Sequence, residues 1–71
     1  MLPENKANEL KEQFKVKCSI EDNELQIKCA KAYINQLLSD FYFMEGDYQI
    51  LDYKHEWHKY ESYWHAVLKC L

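Results

Sequence analysis

The chain has 71 residues, 48% of them hydrophobic, and nine basic against twelve acidic residues set its formal charge at −3. A chain this short forms one domain, residues 1–71, whose small core leaves no room for a large substrate cavity, so no catalytic role is expected. All nine bases are lysine; without the arginine fork that suits guanine edges and phosphates, a sequence-specific DNA reader is disfavoured.

The first predicted element is a short helix over residues 3–12. Pro3 suits a first helical turn, Glu4 complements the helix dipole, and Ala7, Leu10 and Phe14 make a thin apolar stripe. Residues 13–20 then alternate, with Phe14, Val16, Cys18 and Ile20 on one face and Lys15, Lys17 and Ser19 on the other. That is the period of a half-buried strand.

A break at Glu21-Asp22-Asn23 leads into a long helix from Asp22 to about Phe41, with a stripe of Ala30, Ile34, Leu37 and Phe41. Carboxylates at Glu21, Asp22 and Glu24 mark its start, and Ser19 with Asp22 has capping-box spacing. A competing pattern runs through Leu25, Ile27 and Cys29, which would make residues 13–29 a hairpin with the helix starting near Ala30. Gly46, the only glycine, marks the step from this helix to the next element.

The last third supports two readings. As strands, Leu51, Tyr53, His55 and Trp57 share one face, and a second strand from about Tyr60 places Trp64, Ala66, Leu68 and Cys70 together. As a helix, Tyr53, Trp57, Tyr60, Trp64, Val67 and Leu71 form a heptad. The abundance of Tyr, Trp, His and Val favours the strands, although His58-Lys59 lacks the Gly or Asn of tight hairpins. The expected fold is therefore α+β: a short N-terminal helix, a strand, and a central helix packed on a C-terminal aromatic β-hairpin. The alternative is a three-helix bundle.

Three cysteines, Cys18, Cys29 and Cys70, cannot all pair within one chain. With no apolar signal region after Met1 and no stretch of membrane-spanning length, reduced thiols and a cytoplasmic location are expected. No cofactor or metal site is expected: His55, His58 and His65 lack the close ligand pairing of zinc modules, and no CxxC occurs. One glycine cannot build a phosphate cradle, and no nucleophile elbow is present.

Nine of the eleven aromatics fall between Phe41 and Trp64. The same half is acidic: residues 40–71 carry six acids and three lysines, while residues 1–39 carry six of each. An acidic, ring-rich surface repels nucleic acid and suits a basic protein partner. If Trp57, Tyr60 and Trp64 cover the core, then Tyr63, Tyr48, Tyr42 or Phe43 must find cover elsewhere. The expectation is a small acidic binding protein acting by protein–protein contact through Tyr53, Trp57, Tyr60, Tyr63, Trp64, Asp52, Glu56 and Glu61. Inhibitors, adaptors and anti-defence proteins of phages and mobile elements share this size and balance, and a homodimer could cover the same rings. The alternative is a single-stranded nucleic-acid binder using Lys15, Lys17, Lys28 and Lys31.

Overall fold

Three α-helices make up the fold in a computed structural model that describes residues 1–47 and 56–71. Helix α1 spans Pro3–Lys17, α2 spans Asn23–Asp40, and α3 spans Glu61–Cys70, preceded by one 3-10 turn at Trp57–Lys59. The expected α+β fold is thus corrected to the three-helix alternative. No strand occurs among the described residues, whose one sheet-like contact is an isolated parallel bridge between Met44 and Tyr60.

Helix α1 begins where expected, with Pro3 in its first turn and Glu4 beside it. It does not give way to a strand at Gln13. The helical stripe continues through Phe14, which packs against the core, while Val16 and Cys18, the other supposed inward residues, are exposed. Alternation over four positions loses to a stripe that already has Ala7 and Leu10 buried behind it. The helix ends where the Phe14 carbonyl accepts both the Cys18 amide (3.2 Å) and the Ile20 amide (3.3 Å), with Ser19 between them in the left-handed region at φ 55°. That tight reversal makes α1 and α2 an antiparallel helical hairpin.

Helix α2 starts at Asn23, and its cap is Asp22 rather than Ser19: the Asp22 carboxylate accepts the Glu24 amide at 3.2 Å. The competing hairpin over residues 13–29 is absent. Leu25 is exposed, whereas Gln26, Ala30 and Ile34 turn inward at spacings of four. Buried Gln26 keeps its amide satisfied by donating to the Ile20 carbonyl at 2.8 Å.

The heptad decides α3. Trp64 and Val67 are buried, and Trp57, Tyr60 and Leu71 pack against them. Ala66, Leu68 and Cys70, drawn as one strand face with Trp64, lie on α3 instead. The other strand's residues 51–55 lie outside the described residues, and Trp57 opens the 3-10 turn. All three helices touch one another, and α1 packs more extensively on α3 than α2 does. Ala7 and Ala30, each essentially inaccessible, supply the small side chains that allow close helix approach.

Candidate functional site

Rings divide into two groups according to the element that carries them. Trp57, Tyr63 and Trp64 form one cluster: the Trp57 and Tyr63 centroids are 4.8 Å apart, and Tyr63 meets Trp64 edge-on at 5.4 Å and 86°. Trp64 Nε1 donates to the His58 carbonyl at 3.0 Å, which pins the 3-10 turn onto α3. The Lys6 ammonium lies 5.8 Å from the Trp57 ring centroid and pairs with Glu9 at 2.9 Å. This is core architecture.

That placement puts two of the expected contact residues inside the core. Tyr63 is 0% exposed and Trp64 5%, so both rings are largely enclosed. Trp57 and Tyr60 are half-buried against the same core. The heptad turns Trp57, Tyr60 and Trp64 inward, and Tyr63, one position before Trp64 on α3, is enclosed with them. Glu56 and Glu61 are exposed, but each faces a local partner: Glu56 lies 3.3 Å from the Lys59 ammonium and Glu61 3.3 Å from His65 Nε2. Asp52, Tyr53 and His55 lie outside the described residues.

The second group comes after the end of α2. Phe41 caps the helix in extended conformation. From there the run Phe41, Tyr42, Phe43, Met44 sends Phe43 toward the core and leaves the other three outside. Phe41 is 61% exposed, Tyr42 105% and Met44 45%, with Tyr33 of α2 beside them at 45%. The run is anchored by the Met44 amide, which donates to the Lys59 carbonyl at 2.6 Å. Beyond it Gly46 takes φ 111°, where a side chain would be strained, and its carbonyl accepts from Ser62 Oγ at 3.4 Å.

Between these walls lies an open groove of about 290 Å³ lined by Tyr33, Leu37, Phe41, Tyr42, Phe43, His58, Lys59 and Trp64. Of these, only Trp64 is among the expected partner-binding residues. Tyr42 and Phe43 are among the rings that need cover, but Tyr33 and Leu37 read from the residues alone as helix stripe. The missed signal is the excess of rings at the C-terminal end of α2, where no further turn of helix remains to bury them.

The lysine surface fares differently from its expectation. On a strand Lys15 and Lys17 would share a face, but on α1 they are about 200° apart around the axis. Lys28 and Lys31 stand on the exposed side of α2. Lys11 and Lys15 border a polar recess between α1 and α2 that also holds Glu12 and Glu21, so no continuous basic track forms there. No group of three His, Cys, Asp or Glu side chains is arranged to hold a metal among the described residues. Cys18, Cys29 and Cys70 are free thiols. No helix among the described residues is long and apolar enough to cross a membrane. No family model, curated protein or solved structure matches the chain.

Proposed function

We propose that this chain is a small non-catalytic binding protein of the cytoplasm that acts by occupying another protein, as inhibitors, adaptors and anti-defence proteins do. The observation that carries this reading is the exposed aromatic run after α2. Phe41, Tyr42 and Met44 leave three large apolar side chains in solvent beside Tyr33, outside the core formed by the described residues. Clustered exposed rings of this kind mark contact surfaces in monomeric proteins. The free thiols fit a reducing compartment.

The test is affinity capture with the full chain from nuclease-treated lysate of its native host. A stoichiometric protein that is retained by the wild type and lost with Phe41→Ala plus Tyr42→Ala supports the reading. Retention only of RNA or DNA in untreated lysate overturns it.

A further inference from the structure

We infer that the groove at the C-terminal end of α2 receives a segment of a partner protein in which large apolar anchors are flanked by lysine or arginine. This rests on the protein-contact reading above and names the chemistry of the partner.

Size comes first. About 290 Å³ lies at the lower end of small-molecule sites and accommodates one or two bulky side chains. Its walls are mainly Tyr33, Leu37, Phe41, Tyr42 and Phe43, so those side chains are apolar.

Charge gives the flanks. Tyr33, Gln36, Leu37 and Asp40 keep helical spacings of three and four, which puts the exposed Asp40 carboxylate on the strip bordering the groove. Asp40 accepts a hydrogen bond from the Gln36 amide, which holds it on that strip. Glu45 and Asp47 follow the aromatic run within three residues, and exposed Glu56 is paired to Lys59 of the opposite wall. The segments that bound the groove thus carry four acids, Asp40, Glu45, Asp47 and Glu56, against one lining lysine, Lys59, which is already paired to Glu56. No basic residue occupies the last turn of α2, so the negative end of its dipole adds to the same field. Exposed Tyr and Phe faces also attract ammonium and guanidinium groups.

The same field disfavours other occupants. Nucleic acid would be repelled. A symmetric pair of copies would set Asp40, Glu45, Asp47 and Glu56 of one against those of the other.

A random-sequence peptide library panned on the full chain tests the inference. Enriched sequences should combine Leu, Phe or Trp anchors with flanking Lys or Arg. Their affinity should fall roughly tenfold or more with Asp40→Lys plus Glu45→Lys, and with Phe41→Ala plus Tyr42→Ala, while circular dichroism stays unchanged. Enrichment of acidic or uncharged sequences overturns the basic partner but leaves the protein-contact reading standing. Basic peptides that the alanine variant still binds equally reveal bulk charge attraction and overturn it. So does an unenriched library, whether sedimentation shows a monomer or a reversible dimer.

Discussion

Tyr63 and Tyr42 carry the same ring, yet one is 0% exposed and the other 105%. Tyr63 lies on α3, whose turns set it beside Trp57 and Trp64. Tyr42 lies just past the C-cap of α2, where the helix has ended and, of the run Phe41 to Met44, Phe43 alone packs against the core. The difference teaches that ring content does not assign a surface here. The register of the supporting element does: Tyr63 and Trp64 sit on a helical core face, whereas Tyr42 does not.

The sharpest way to break this comparison is Tyr63→Ala. Removing a fully buried aromatic costs about 3–5 kcal/mol. Typical stability per residue gives a chain of this length roughly 4–11 kcal/mol in total. Loss of most or all cooperative unfolding by circular dichroism is expected, and a folded variant with a near-native urea midpoint would return Tyr63 to the surface. Asp22→Ala should have a smaller effect, about 1 kcal/mol from the lost cap of α2. A cost near zero would mean that the α1–α2 turn, not the carboxylate, starts that helix. Phe41→Ala with Tyr42→Ala should leave the thermal midpoint within error of wild type while abolishing partner capture. A clear destabilisation would show that these rings pack rather than wait for a partner.

Much of α2 is legible in the residues. Its stripe and its acidic start place it from Asp22 to about Phe41, and the helix runs from Asn23 to Asp40. Pro3 likewise marks the start of α1. Residues 13–20 mislead because Phe14 belongs to two patterns: it continues Ala7 and Leu10 at helical spacing and opens the alternation with Val16 and Cys18. Partial burial of Phe14 against the core and exposure of Val16 separate the two, and neither is visible in residue types. The groove is the least legible feature. Its walls come from the end of α2, the run after it and the 3-10 turn, which only meet once α3 has docked.

The sequence by itself determined the acidic, aromatic bias of the second half, the beginnings of α1 and α2, and a heptad from Trp57 to Leu71 that a helix could use. Only the tertiary structure decided that residues 61–70 take the helix rather than a strand, and that Phe41, Tyr42 and Tyr33 stay outside. The physical reason is one of magnitudes. Intrinsic helix propensities differ by tenths of a kcal/mol per ordinary residue, which sums to only about a few kcal/mol over the ten residues of α3. Burial of a large apolar side chain is worth about 1.5–3 kcal/mol. Enclosing Tyr63, Trp64 and Val67 together against α1 therefore outweighs the local preference for strands.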